Sequence, residues 1–256
     1  MDCDIIIPTY ENEDLTVACF ESIKKYTNNF RIIWVDNGSK GKQKVQASLQ
    51  GVNHIAILLP TNQGFVGAVN LGIAVSNAPF VCLLNNDTLV SPRWLEKLIK
   101  SLKADPQLGI VGALTAPIPG DRRFDSHHNV TWIKNSGKPL SFPEYRNLED
   151  FNLRIEKQFS GMLTSVDFVA FLCAVIKREV VSKVGFLDPN YAMGLWDDCD
   201  YNNSIKKAGY KVGLLLDTCI WHKGRSTFDI AEKNGLDINA LLAKNRAYLD
   251  RKWGYK

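Results

Sequence analysis

Three carboxylates within four positions, Asp197, Asp198 and Asp200, open a helical stretch, and the apolar run after that helix delivers a histidine, His222. Carboxylates crowded at a helix start are costly unless a cation, a proton or the helix dipole compensates them. The dipole favours an ionised Asp198 in the first turn, where it could take a proton from an alcohol. Asp197 and Asp200 compete for that role or for capping the helix, and spacing alone does not choose among the three. A second acidic site, Asn85-Asn86-Asp87, follows the apolar run FVCLL, so Asp87 is presented at a strand tip. Hard oxygen ligands suit Mg²⁺ or Mn²⁺, which bind through one or two carboxylates plus substrate phosphates. His222 would add a nitrogen ligand acceptable to Mn²⁺. Taken singly, a strand-tip aspartate reads as a turn cap and a histidine after an apolar run as a core residue. The acidic cluster upstream turns both toward a metal, and a base beside a metal is what a metal-assisted transfer to a hydroxyl needs.

Those groups must be carried by an alternating scaffold. Short apolar strands are expected at Cys3–Pro8, Arg31–Val35, His54–Leu59 and Phe80–Leu84. Between and after them, helical spacing runs from Leu15, over Val66–Ser76, and along Trp94, Leu95, Leu98, Ile99 and Leu102 from a start at Ser91-Pro92. Such alternation implies an α/β fold with a mostly parallel sheet covered on both faces. Ligands of such sheets bind beyond the carboxyl ends of the strands. Here those ends are Thr9-Tyr10-Glu11, Asp36-Asn37-Gly38-Ser39, Thr61-Asn62-Gln63-Gly64 and Asn85-Asn86-Asp87, four polar turns that together predict one ligand cleft. The pattern breaks over residues 115–158, a proline-punctuated polar stretch that reads as an insertion or flap bordering a site. Regularity returns with a strand over 165–177, a helix over 178–184, a helix from the acidic cluster to Ala208 capped by Gly209, and a basic amphipathic tail from Ala240 to Trp253.

The 256 residues are 45% hydrophobic and 23% charged, an ordinary globular composition. A net charge of +4, with no basic stripe interleaved with aromatics, argues against nucleic acid as a partner. No run of apolar residues is long enough to span a bilayer. The start, Met1-Asp2-Cys3-Asp4, lacks a secretory signal, which predicts a cytoplasmic location. Six scattered cysteines with no CxxC pair read as free, mostly buried thiols. Lys244, Arg246, Arg251, Lys252 and Trp253 make the tail basic, first as a solvated helix face and second as a peripheral contact for the inner face of a membrane.

The motifs IIIPTYEN, IIWVDNGS, PTNQGFVGAVNLGIAVS, FVCLLNNDTLVSPRWL, VGFLDPNYAMGLWDDCDYNNSIKKAGYKV, CIWHKGRST and KNRAYLDRKWG, in that order, resemble the inverting family 2 glycosyltransferases of GT-A fold. The WDDCDY…AGY…WH block is most similar to bacterial galactofuranosyltransferase and rhamnosyltransferase branches. The resemblance implies one GT-A domain over 1–256, Rossmann-like, with a smaller acceptor-side insertion. Residues 1–114 would form the nucleotide-sugar-binding half, 115–228 the acceptor-side half with a flexible insertion at 115–158, and 229–256 a helical tail. It implies transfer of a sugar from a nucleoside-diphosphate donor, UDP ahead of dTDP, to a glycan or glycolipid hydroxyl in bacterial-type cell-surface synthesis. Thr9, Tyr10, Asp36, Asn62, Asn85 and Asn86 would hold the donor nucleotide, and Lys223 and Arg225 its diphosphate. Asp87 and His222 would bind Mn²⁺ or Mg²⁺, Asp198 would be the catalytic base, and Trp196 and Asp197 would lie beside the acceptor. Asn85 stands where the family's metal motif begins with aspartate, one negative charge fewer. The rival readings are a sugar-phosphate nucleotidyltransferase, disfavoured by the acidic turn Glu11-Asn12-Glu13-Asp14 where a triphosphate would sit, and a non-catalytic nucleotide-sugar-binding module.

Overall fold

The computed structural model of the chain describes residues 1–116, 148–224 and 226–255. Four parallel strands, β1 (Cys3–Thr9), β2 (Phe30–Asp36), β3 (His54–Leu58) and β4 (Phe80–Leu84), form one half of a sheet in the order β3-β2-β1-β4. The helices α1 (Glu13–Tyr26), α2 (Gln43–Ser48) and α3 (Gly64–Val75) make the crossovers. Along β1 the side chains alternate between two cores. Ile5 and Ile7 pack with Phe20, Trp34 and Cys82, and Ile6 packs with Val66, Val69 and Leu83. Both faces are covered, so these strands appear in the sequence as unbroken apolar runs.

The second half begins with β5 (Thr88–Val90), α4 (Trp94–Ala104) and β6 (Leu108–Ala116), then continues through α5 (Leu148–Phe159), β7 (Leu163–Ser165), β8 (Cys173–Lys177) and α6 (Arg178–Val184). A 3₁₀ turn at Pro189–Tyr191 precedes α7 (Asp197–Lys207), β9 (Lys211–His222), α8 (Ser226–Lys233) and α9 (Ile238–Trp253). The sheet extends from β4 through β8, β6 and β9 to β5, with β7 also on β9. Parallel pairing holds for β3-β2-β1-β4 and for β6-β9, whereas β8 is antiparallel to both of its neighbours. The chain enters β8 from the carboxyl edge of β4, Cys173 facing Leu84, and must therefore run back across the sheet.

Three local expectations are corrected. The strand expected over 165–177 is two short strands, because residues 167–171 leave the ladder for α7. There the Val169 N–H donates to Asn202 Oδ1 (3.3 Å) and Asn202 Nδ2 donates to the Val169 carbonyl (3.0 Å). The helix expected from Ser91-Pro92 starts at Trp94, since the Ser91 hydroxyl donates to Asn152 of α5 instead of capping (3.0 Å). Within the expected insertion of 115–158, β6 runs to Ala116, and α5 packs Phe151, Ile155 and Phe159 against Leu214, Leu216 and Cys219 of β9. The remainder of that insertion, 117–147, lies outside the described residues.

All six thiols are free, five of them buried. Among the described residues no helix is long and apolar enough to cross a membrane. The basic tail is docked. Lys252 pairs with Asp188 (2.7 Å) and Asp200 (2.9 Å), and Trp253 Nε1 donates to Asp200 Oδ1 (2.8 Å).

Candidate active site

A cavity of about 430 Å³ opens at the carboxyl edge of β1 and β4. It is lined by Thr9, Tyr10, Asn62, Asn85, Asn86, Asp87, Trp196, Asp197, Asp198 and His222 among the residues singled out from the sequence. Asp36 and Lys223 do not line it, and Arg225 lies outside the described residues. Asp36 is buried behind the wall, where it accepts from the Ser39 N–H (3.2 Å) and pairs with Lys42 (3.3 Å). Lys223 is exposed.

The wall built from the tips of β1, β2 and β3 is a lattice of turn hydrogen bonds. Trp34 Nε1 donates to Thr9 Oγ1 (2.8 Å), and the Asn37 N–H donates to the Thr9 carbonyl (2.7 Å), which fixes the tip of β1. Asn37 Nδ2 donates to Asn62 Oδ1 (2.8 Å) and to the Gly64 carbonyl (3.0 Å), while Asn37 Oδ1 accepts from the Gln63 N–H (2.7 Å). Asn62 Oδ1 also accepts from the Gly64 N–H (2.8 Å), holding the first turn of α3. Gly64 has φ +78°, and a Cβ there would stand 2.7 Å from the Ala192 carbonyl carbon, so only glycine allows α3 to approach the 191–196 loop.

Strand register creates the second corner of the site. β5 and β9 are antiparallel with Thr88 opposite His222, and the Lys223 N–H donates to the Asp87 carbonyl (3.0 Å). The ladder therefore sets His222 Nε2 3.0 Å from Asp87 Oδ1, with Asn85 Nδ2 3.3 Å from the same nitrogen. Burial opposes ionisation of Asp87, and the His222 and Ser226 side chains overcome it, leaving the carboxyl below its ordinary range. Two ligands at about 2.1 Å from a cation and a right angle apart stand about 3.0 Å from each other, so the Asp87–His222 spacing fits one edge of an octahedral site. A half-turn of the Asn85 amide would offer its oxygen to the same point. Among the described residues no three His, Cys, Asp or Glu side chains gather into a cation cage. Remaining ligands would have to come from water or substrate oxygen.

The third corner is the start of α7. Asp197 is buried, and burial together with the adjacent Asp198 pushes its carboxyl up to about 8. Asp198 is half-buried, and its Oδ1 accepts from the Cys199 N–H (2.8 Å). Its backbone carbonyl accepts from Asn202 Nδ2 (2.7 Å), so one asparagine ties the acidic turn to the Val169 segment that carries Ala170 and Phe171 into the cavity wall. Burial and Asp198 push the Cys199 thiol up, so this cavity cysteine is not a ready thiolate. A carboxylate base at one end and a cation corner at the other suit transfer of a group from a phosphate leaving group to a hydroxyl.

The glycosyl transferase family 2 model matches residues 4–185 of this sequence. The chain belongs to that family. Membership makes it a glycosyltransferase domain, and two of the sequence relatives carry that name. It is 29% identical to an uncharacterized glycosyltransferase of Haemophilus influenzae over 87% of this chain and 69% of that one. Glycosyltransferase GlyG of Streptococcus pneumoniae is 27% identical over 71% of this chain and 58% of its own length. An uncharacterized protein of Sinorhizobium fredii is 27% identical over 97% of this chain, which spans only 27% of that relative. Among solved structures, a mannosyltransferase of Pyrobaculum calidifontis in complex with GDP-Man and Mn²⁺ matches with TM-score 0.63 at 17% identity, over 89% of this chain and 59% of that one. GalNAc-T7 with UDP, GalNAc and Mn²⁺ matches with TM-score 0.63 at 13% identity, over 86% of this chain and 43% of that one. The fold is GT-A, a mixed α/β sheet flanked by helices.

Several lining residues of this family 2 domain escaped the sequence reading. Asn37 had a visible signal in the turn Asp36-Asn37-Gly38-Ser39, but its role as the hub joining three tips needed the register of β1, β2 and α3. Ser226, Phe228, Ile238 and Leu242 close the outer wall from α8 and α9, and nothing in their spacing marks them.

Proposed function

We propose that the chain transfers a sugar with inversion from a nucleoside-diphosphate donor, UDP ahead of dTDP, to a hydroxyl of a glycan or glycolipid acceptor. The observation that carries this reading is the convergence of Asp87, His222 and Asp198 on one cavity although they stand on three separate elements. Asp198 takes the acceptor proton as the acceptor oxygen attacks the anomeric carbon, and the bond from that carbon to the diphosphate oxygen breaks. Thr9, Tyr10, Asn62, Asn85 and Asn86 border the nucleotide end, and Trp196 and Asp197 border the acceptor end. Asp87 and His222, with Asn85 beside them, would hold Mn²⁺ or Mg²⁺, which when bound offsets charge on the leaving diphosphate. The GDP-Man and Mn²⁺ bound by the mannosyltransferase, and the UDP, GalNAc and Mn²⁺ bound by GalNAc-T7, support a donor and a metal of this kind. Residues 1–114 then serve as the donor half, 115–228 as the acceptor half and 229–256 as a supporting tail. The galactofuranosyl- or rhamnosyl-like branch, and with it a role in cell-surface glycan synthesis, rests on the WDDCDY…WH block alone.

A panel of UDP- and dTDP-sugars, each with Mn²⁺ and with EDTA, tests the reading by thermal stabilisation. A true donor at a hundredfold excess over its Kd contributes about 2.7 kcal/mol, a rise of roughly 5–10 °C. The Mn²⁺-dependent part of that rise should vanish in Asp87→Ala while the metal-free part remains. No stabilisation by any nucleotide sugar would refute the function.

A further inference from the structure

The loop that delivers the acidic turn to the cavity is held in a conformation its own residues disfavour. Met193, Gly194, Leu195 and Trp196 line the cavity, and Asp197 and Asp198 follow directly. Three non-glycine residues of this stretch have left-handed backbones: Ala192 (φ 42°), Leu195 (φ 71°) and Trp196 (φ 69°). Neighbouring left-handed residues with Cβ atoms persist only where surrounding contacts over-determine them. Trp196 is also the residue preceding the first turn of α7, and its own side chain does not cap that turn. The direction in which Asp197 and Asp198 leave the backbone is therefore set by how this loop is held.

Most of the holding comes from α9. Asn245, 2% exposed and outside the cavity lining, donates from Nδ2 to the carbonyls of Tyr191 (3.4 Å), Gly194 (2.9 Å) and Leu195 (3.2 Å). Two amide hydrogens shared among three carbonyls leave the loop little freedom to rotate its peptide planes. One residue on, the Arg246 guanidinium sits 4.9 Å from the centre of the Trp196 ring, stacking on the residue before the acid pair. From the other side, the Val66 N–H of α3 donates to the Ala192 carbonyl (3.1 Å).

We propose that Asn245 is a positioning residue for the Asp197–Asp198 pair: from α9, fifty residues beyond Leu195, it fixes the strained loop that aims the acidic turn into the cavity, with Arg246 as its partner on Trp196. The claim rests on the proposed function for its catalytic consequence but not for its structural one. Neither side chain lines the cavity. Both act through the loop.

The test compares the wild type with Asn245→Leu, which keeps the branched shape of the side chain and removes the donor, and with Arg246→Ala at a half-exposed position. Amide exchange followed by mass spectrometry reads the loop without any substrate. In Asn245→Leu, residues 191–198 should exchange at least tenfold faster than in the wild type while β1–β4 stay unchanged, and Arg246→Ala should show a smaller change in the same peptides. Turnover is read as Mn²⁺-dependent hydrolysis of whichever of UDP-glucose, UDP-galactose and UDP-N-acetylglucosamine stabilises the wild type, water standing in for the acceptor. The turnover number should fall 10–100-fold in Asn245→Leu and several-fold in Arg246→Ala, with Kd for UDP within twofold of wild type. Unchanged exchange over 191–198 overturns the proposal, as does a parallel loss of UDP affinity, which would mark a merely structural residue. Should Asn245→Leu not fold, Arg246→Ala decides alone on the same readouts. A wild type that turns over no nucleotide sugar sinks the proposed function, and exchange over 191–198 then still decides the clamp.

Discussion

The proposed donor wall, built of strand tips, and the proposed acceptor loop, residues 191–198, meet in one cavity but are built in opposite ways. On the donor side, parallel strands end in register, and each polar tip satisfies its neighbour: Asn37 joins Asn62, Gln63 and Gly64, and Trp34 anchors Thr9. Those contacts come from turns adjoining the strands they stabilise, and left-handed non-glycine backbone beside these tips is confined to Glu11 and Asn12, after β1. The acceptor loop has no strand of its own beneath it. Its left-handed residues are held by α3 on one side and by Asn245 of α9 on the other, and it ends in a buried carboxyl whose partners include another carboxylate. One wall is a preformed polar shelf, which suits the proposed nucleotide. The other holds its acidic turn under strain, as sites of chemistry commonly do.

Separating the two walls by mutation should separate binding from turnover. The largest effect is expected from Asp198→Asn, which leaves the donor wall untouched and removes the proton acceptor. Turnover of the donor that stabilises the wild type should fall on the order of 10²–10⁴. Its Kd for UDP should remain within a few-fold. A variant that turns over at near the wild-type rate would remove Asp198 as the base, leaving Asp197 as the other carboxyl of the acidic turn that lines the cavity.

The unequal legibility of the two walls follows from the same contrast. Strand tips are local: an apolar run followed by Asp36-Asn37-Gly38-Ser39 or Asn85-Asn86-Asp87 announces its end and its polarity together. Four apolar strands, with helical spacing after the first, third and fourth, sufficed to place four tips on one edge, because parallel strands joined by crossovers end on the same side. Asp36 shows the limit of that logic, since the tip was visible but not that its carboxylate turns inward to Ser39 and Lys42. The Asp87–His222 contact depends on the β5–β9 register, and β5 is three residues long, too short to leave a period. Asn202 and Asn245 were invisible for another reason. A helix-interior asparagine reads as solvated or neutral, and only tertiary structure shows it holding the backbone of a distant segment. The strand expected over 165–177 failed at the point where Asn202 competes for the Val169 backbone groups.

The seam between the walls can be broken at Gly64. Its φ of +78° and the closeness of the Ala192 backbone mean that Gly64→Ala strains α3 and pushes the acceptor loop at once. The backbone conformation alone costs about 1–3 kcal/mol, a fall of roughly 2–12 °C in Tm for a domain of this size. Because both walls move, UDP affinity and turnover should fall together, unlike the split expected for Asp198→Asn. A Gly64→Ala protein with wild-type Tm would mean that the two walls are not in contact in solution.

The smallest effect, and the one that distinguishes the walls by charge, concerns two buried carboxyls. Asp4, at the far edge of the sheet, is fully buried but accepts two hydrogen bonds from Arg31 (2.8 and 3.0 Å) and one each from the N–H groups of Asn77 (2.7 Å) and Ala78 (2.9 Å). Asp197 has burial and the neighbouring charges of Asp198 and Asp200 instead, and is pushed up to about 8. An unfolded aspartyl group titrates near 3.9, so the folded chain holds a proton that the unfolded chain releases. The stability this gives is fully present below about pH 4 and is lost as pH rises through about 8. Calorimetry between pH 5 and 9 should therefore show the wild-type Tm declining more steeply than that of Asp197→Asn, which carries no titrating group at that position. Asp198→Asn sharpens the test, because removing the adjacent charge lets Asp197 release its proton at lower pH and moves the decline toward acid. Equal slopes for wild type and Asp197→Asn would mean that Asp197 is solvated and ionised, and that the acidic turn is an ordinary helix start.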